Sequence, residues 1–414
     1  MWGDGVGVSP YDYIGNSCEN VLIENCTIDN CLRNGIAICG AIGCTVRNCN
    51  IDHISGAMPE AGIDIEAEWV KDTDGANGRT AINDDIIIDG CTIGGSYQSV
   101  CKSANTHGVT IRNCVLKSSL TVAENAQSAK QGILKVYDTV CNSTVAVCGE
   151  VELHDCTTKN WIYVNSITDT DGIVYRGNFK AFNSVIHRTS AGHGITADGD
   201  APSMYFERCT FYYTNANDNV FSHSCGTNYP SLELKKCVFH IESQDSADYQ
   251  LFNITVWKPL VIDGCTFIAE SEVMNQRFIG RFNAFEKCIF TNNLIDFSKV
   301  KTYGQGVIVA WQATTDCITV ISGNVVVTNR ELTSPICGNV FGCSGMYTNT
   351  HTYIINNIAP TFDSLATISK NPSAKTTAKN NVLSTTPEIN NIQTEEWIFE
   401  REDGTTETKR VVLL

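Results

Sequence analysis

VTIRNCVLK (residues 109–117) decides how this chain is built. Val109 and Ile111 alternate with Thr110 and Arg112, Asn113-Cys114 interrupts, and Leu116 resumes the apolar file. Alternation of period two is the signature of a strand with one buried face. The same unit returns as VLIENCTID (21–29), CTVRNCNID (44–52), IIIDGCTIG (86–94), VELHDCTTK (151–159), MYFERCTFY (204–212), LELKKCVFH (232–240), LVIDGCTFI (260–268) and NAFEKCIFT (283–291). FKAFNSVIH (179–187) places Ser184 in the cysteine slot, ITVISGNVV (318–326) places Gly323 there, and TYIINNIA (352–359) is a weaker member.

The shared cysteines are Cys26, Cys49, Cys91, Cys114, Cys156, Cys209, Cys237, Cys265 and Cys288. With Ser184 included, they are separated by 23, 42, 23, 42, 28, 25, 28, 28 and 23 residues, then 35 to Gly323. A minimal unit near 23 residues, made of short strands punctuated by glycine and asparagine, describes one coil of a parallel β-helix. About eleven or twelve coils stacked at the inter-strand spacing would make a rod of roughly 50–60 Å. A buried cysteine behaves as a small hydrophobe, so the shared cysteines read as an inward ladder of free thiols. Asn25, Asn48 and Asn113, one residue earlier, suit the left-handed backbone of a tight corner. No Cys-x-x-Cys pair occurs, which removes zinc ribbons and thioredoxin-like chemistry, and reduced thiols fit synthesis in the cytosol.

The chain has 414 residues, 43% apolar, with a formal net charge of −16. That acidity opposes nucleic acid and anionic lipid as partners. No apolar run approaches the roughly 20 residues of a membrane helix. The opening MWGDGVGVSP has neither a basic nor an apolar leader region, so no signal peptide is expected, and its glycine-rich, strand-like start is consistent with a trimmed precursor. The expected organisation is a parallel β-helix over 1–345, irregular terminal coils and a linker over 346–392, and a β-hairpin over 393–414. The linker contains SKNPSAKTTAKNN, and the hairpin would turn at Asp403-Gly404.

The repeated xxIxNCxI unit resembles the right-handed parallel β-helix proteins of the pectate-lyase-like superfamily. GIDIE (62–66) resembles a segment of bacterial β-helix proteins and phage tail spikes, and WIFEREDGTTETKRVVLL (397–414) resembles the short C-terminal hairpins of phage tail-associated proteins. The resemblance implies an all-β, right-handed parallel β-helix with a C-terminal hairpin, a homotrimer, a polysaccharide partner, and a place on a virion tail or cell surface. It does not choose an activity, because this superfamily hosts lyases, hydrolases, transferases and inert spikes.

The candidate catalytic residues come from GIDIEAEW (62–69). If Ile63 and Ile65 point inward, Asp64 and Glu66 share the outer face about 6.5–7 Å apart. Glycosidases need two such carboxylates, one as acid and one as base or nucleophile, and mutual repulsion can hold one protonated near neutrality. Glu68 is a third candidate. The matching positions of the two preceding coils, Ala37 with Cys39 and Gly7 with Ser9, are small, which would leave a recess for a sugar. Trp69, Tyr97 and His193 are candidate substrate-binding residues. His193 lies in AGHGIT (191–196), which resembles a polygalacturonase-like segment without its companion motifs. Asp72, Asp74 and Asn77 loosely resemble a calcium loop lacking its terminal Glu, so no cofactor is expected and calcium is the one weak alternative. Asp198 with Asp200 is a possible second acidic site, and Trp161, Trp257 and Trp311 are possible sugar platforms.

A polyuronate lyase needs cations to neutralise its substrate, and the strand around Asp64 has no Lys or Arg. The sequence therefore favours a polysaccharide-cleaving glycoside hydrolase. A non-catalytic glycan-binding spike and a lyase or glycosyl-transferring enzyme remain alternatives.

Overall fold

The computed structural model describes residues 3–10, 16–67, 81–103, 106–123, 132–168, 174–188, 194–213, 220–224, 229–242, 251–274, 279–284, 286–303, 307–313, 317–328, 339–346, 351–358, 364–368, 375–381, 393–400 and 406–413. Among them the regular structure is all β. Three long sheets dominate, of 14, 14 and 12 strands, and the chain visits the first, second and third in turn before returning to the first. Every neighbouring pair within them that has a register is parallel, as in Val109–Arg112 against Leu134–Tyr137. This arrangement is compatible with a parallel β-helix. The 14 strands outnumber the eleven or twelve coils expected, and their stacking spans about 60 Å. Beyond the sheets, Gln393–Glu400 pairs antiparallel with Thr406–Leu413, while Asp403 and Gly404 lie outside the described residues.

The corner between the second and third sheets explains the repeat. In all twelve circuits that reach the third sheet it is two residues long. The first residue is left-handed, with φ from 45° at Asp138 to 68° at Gly323, and includes Asn25, Asn48 and Asn113. The second turns inward. From Cys49 onward each thiol there donates to a backbone carbonyl of the preceding circuit, as Cys114 Sγ does to Ile88 O at 3.7 Å and Cys209 Sγ to Ala181 O at 3.3 Å, while Cys26, in the first circuit, donates to Glu24 O at 3.3 Å. Cys49 N and Cys91 N in turn donate to the sulfur of the next circuit, each at 3.4 Å. The described cysteines carry no disulfide.

Three readings of the repeat need correction. The 42-residue step from Cys114 to Cys156 hides a whole circuit whose corner is Asp138-Thr139, with Thr139 Oγ1 accepting from Cys114 N at 3.3 Å. Cys288 is not in the corner: it sits inside the strand Lys287–Thr291, opposite Leu260. The corner residue of that circuit is Asn293, whose Oδ1 accepts from Cys265 N at 2.9 Å. Likewise Asn324, not Gly323, points inward, and Gly323 is the left-handed residue before it.

The inward files of the three sheets form one continuous apolar core. In the middle circuits it is aromatic: Phe211 stacks on Phe239 at 4.5 Å and Phe239 on Phe267 at 4.9 Å. Such pairs add about 0.5–1.5 kcal/mol each beyond burial. The connections flanking the first sheet vary widely. Those to the second sheet run from one residue (149) to 17 (66–82), and those from the third from two (117–118) to ten (242–251). Length variation therefore collects beside the first sheet, and loops beside a rigid scaffold are where binding residues concentrate.

Candidate functional site

Asp64 lies in the strand Ala61–Ile65 of the first sheet, all five residues of which are buried. Ile63 and Ile65 belong to the inward file, between Ile36 and Val100 and between Ile38 and Lys102. Asp64 is on the other face, in line with Gly7, Ala37 and Cys101. The register of small neighbours expected from the sequence is the one observed. The exposure is not: Asp64 retains only 4% of its surface, so it does not stand open on the outer wall. Small residues on either side allow polar groups of the preceding circuit to close over it.

That cover has a defined structure. Asn34, fully buried, donates its Nδ2 to Asp64 Oδ2 at 3.2 Å and accepts from Ala61 N at 3.3 Å. Asp4 Oδ1 accepts from Asn34 N at 3.0 Å and Asp4 Oδ2 pairs with Arg33 at 3.4 Å. Burial first, and then the charge of Glu66, raise the Asp64 pKa to about 7, with a smaller push from Asp4, while Arg33 and the Asn34 hydrogen bond oppose the rise. Burial also pushes the Cys101 thiol up, reinforced by Asp64 and Glu66. The result is a carboxyl that exchanges a proton near neutrality beside an exposed Glu66. Glu66 N continues the strand pairing by donating to Ile38 O at 3.0 Å.

One cation bears on the site that a reading of its own strand misses. Arg33 comes from the preceding circuit and is tied to Asp4. Lys102 is one residue from Cys101, but it occupies the inward file between Ile65 and Val122 and is fully buried. Asn34, Asp4 and Arg33 carried no signal in the sequence, because only the stacking of circuits brings them to Asp64.

Tyr97 is 60% exposed in the connection preceding Gln98–Lys102, four residues ahead of Cys101 and so about 13 Å along the strand direction from Asp64. Leu32 and Met58, in the equivalent connections of the two preceding circuits, are also exposed, so an apolar rim borders this end of the first sheet. Glu68, Trp69 and His193 lie outside the described residues, as do Asp72, Asp74 and Asn77 of the calcium alternative. Asp198 and Asp200 have different partners: Asp198 accepts from Tyr163, and Asp200 pairs with Arg176 at 3.8 Å. Trp257 is a core residue with no exposure, and the side chain of Trp311 is outside the described set.

Among the described residues no helix is long and apolar enough to cross a membrane. Comparison of the chain with family models, with curated proteins and with solved structures finds no match. The fold and site define an all-β protein of three parallel sheets with a buried, titratable carboxyl on the outer file of the first.

Proposed function

We propose that this chain is a right-handed parallel β-helix enzyme that hydrolyses glycosidic bonds in a polysaccharide, with Asp64 as proton donor and Glu66 as base or nucleophile. The observation that carries the reading is the division of the pair: Asp64 is buried with its pKa raised to about 7, and Glu66, two residues on, is exposed. A pair whose environments differ in this way is what acid–base cleavage of an acetal requires. Glu68 is the substitute for either role. The net charge of −16 favours a neutral or mildly charged glycan over a polyuronate.

The decisive experiment is release of reducing ends from a panel of bacterial capsular and plant polysaccharides. Asp64→Asn and Glu66→Gln are each expected to lower the rate on any cleaved substrate by about 10²–10⁴-fold while leaving the fold intact. Wild-type rates in both variants would remove the assignment. The closing of Asn34 over Asp64, which leaves it 4% exposed, favours a second reading, a glycan-binding spike without chemistry. That reading is adopted if glycans are retained and no substrate yields new reducing ends. A lyase would instead yield unsaturated products, and a transferase rearranged ones. The assembly we propose is a homotrimer on a virion tail or cell surface, and sedimentation at the mass of one 414-residue chain would exclude it.

A further inference from the structure

We propose that the outer face of the first sheet carries a second glycan subsite, built on the ring pair Trp161 and Tyr163, which binds a chain of neutral pyranose sugars leading toward Asp64; it rests on the glycan reading above. Tyr163 is on the same outer file as Asp64. The file runs Asp64, Cys101, Thr121, Ala146, Tyr163, Thr196 from strand to strand. Four strand spacings place Tyr163 about 19 Å from Asp64. The file residues between are small, Thr121 and Ala146 half-buried and Cys101 buried, and the file ends against a ring. The variable connections flank this same sheet on both sides.

The rings are held before any ligand arrives. Trp161 Nε1 donates to Thr196 Oγ1 at 3.1 Å, and Thr196 shares a hydrogen bond with Ser222 at 3.1 Å. Tyr163 Oη donates to Asp198 Oδ2 at 2.7 Å, while Asp198 Oδ1 accepts from Gly199 N at 2.8 Å. The ring centroids are 5.2 Å apart and tilted by 57°. Side chains fixed in this way lose little rotamer freedom on binding. Half-buried aromatic faces accept the apolar C–H face of a pyranose, and the hydroxyls and carboxylate at their edge accept or donate to its hydroxyl groups. Asp198 beside the rings, in a chain of net charge −16, disfavours a uronate and favours an uncharged sugar.

The test is affinity electrophoresis in native gels cast with dextran, galactomannan, mixed-linkage β-glucan or, as the anionic control, polygalacturonate. Wild-type protein and Asp64→Asn are expected to be retarded by at least one neutral polymer and not by the control. Trp161→Ala is expected to weaken that retardation at least tenfold. Ala146→Arg, an outward substitution directly beside Tyr163 that leaves both rings in place, is expected to do the same. If Trp161→Ala does not fold, by circular dichroism, Ala146→Arg decides alone. No retardation by any neutral polymer, retardation by polygalacturonate alone, or unchanged retardation in the folded variants overturns the subsite. Reducing-end release is read separately. Binding that depends on Trp161 in a protein whose Asp64→Asn variant cleaves normally upholds the subsite and removes the catalytic assignment; cleavage that needs Asp64 without any dependence of binding on Trp161 does the reverse.

Discussion

Asn293 Oδ1 accepts the backbone N–H of Cys265 at 2.9 Å, and at this contact the inward ladder of the corner changes from thiol to amide. Before it, the slot holds Cys, Thr or Ser; after it, Asn293, Asn324, Asn357 and Asn381 follow in successive circuits. A thiol donates and accepts only weakly, as Cys91 Sγ does in accepting from Cys49 N, whereas an asparagine amide accepts strongly from the preceding circuit and donates to both neighbours, as Asn324 does to Phe290 O and Asn357 Oδ1.

The two kinds of corner should differ in their tolerance of substitution. Asn324 Oδ1 accepts from Asn293 N and Nδ2 at 3.0 and 2.9 Å, and its Nδ2 donates to Phe290 O at 2.9 Å and Asn357 Oδ1 at 2.8 Å. Asn324→Leu strands several buried polar groups at about 1–3 kcal/mol each, so a loss of at least about 3 kcal/mol is expected. Cys114→Ser should stay within about 1 kcal/mol, because Ser184 already fills the same slot with its Oγ donating to Phe182 O at 2.9 Å. Urea denaturation of the two variants followed by circular dichroism gives the comparison. A larger loss in Cys114→Ser than in Asn324→Leu would contradict it.

Thiol titration tests the ladder itself. Cys49, Cys91, Cys114, Cys156, Cys209, Cys237 and Cys265 are buried, and Cys18, Cys26, Cys31 and Cys39 are only half-buried near the start of the chain. A disulfide reagent that reacts with thiolates should therefore modify the second group in the native protein and reach the first only after denaturation. Rapid native modification of Cys114 or Cys156, located by peptide mapping, would contradict the inward placement.

Glycines on the first sheet separate packing from surface. A Cβ at Gly62 would stand 2.4 Å from Ile93 Cγ2 and 2.6 Å from Gly94 O, whereas a Cβ at Gly7 meets nothing within 4 Å. Gly62→Ala is expected to destabilise by about 1–3 kcal/mol, the usual range for overpacking, and to displace the strand that carries Asp64. Gly7→Ala should be neutral in thermal denaturation. Equal melting temperatures for the two variants would count against the packing around Gly62.

The parallel-sheet fold was legible because one physical rule repeats: a left-handed residue followed by a small inward one. The alignment failed where the rule was kept by different residues. Asp138-Thr139 obeys it without a cysteine, and Asn292-Asn293 obeys it while Cys288, five residues earlier, supplies a misleading match. The site was less legible. The register of Gly7, Ala37 and Asp64 follows from counting along strands, but the cover over Asp64 comes from Asn34, which is 30 residues away and shares no pattern with it. Small residues beside a carboxylate read equally as a recess or as room for a lid, and only stacking of the circuits distinguishes them. The Tyr163–Asp198 contact, 35 residues apart, was hidden for the same reason.

The carboxyl of Asp64 ties stability and activity to one pH window. Its pKa is about 7 in the folded chain and about 3.9 in an unfolded one. A group that binds its proton more tightly when folded stabilises the fold fully below about pH 4, loses that contribution as pH rises, and contributes nothing further above about pH 7. The gap corresponds to about 4 kcal/mol at most. Urea denaturation should thus show wild-type stability falling between pH 4 and pH 7 by more than that of Asp64→Asn, in which this titration is absent. If Asp64 is the proton donor, kcat/KM on a cleaved glycan should fall along a basic limb centred near pH 7, because the donor is then ionised. Parallel stability profiles for wild type and Asp64→Asn would mean that Asp64 is ionised in the fold, and a proton donor would have to be sought elsewhere on the first sheet.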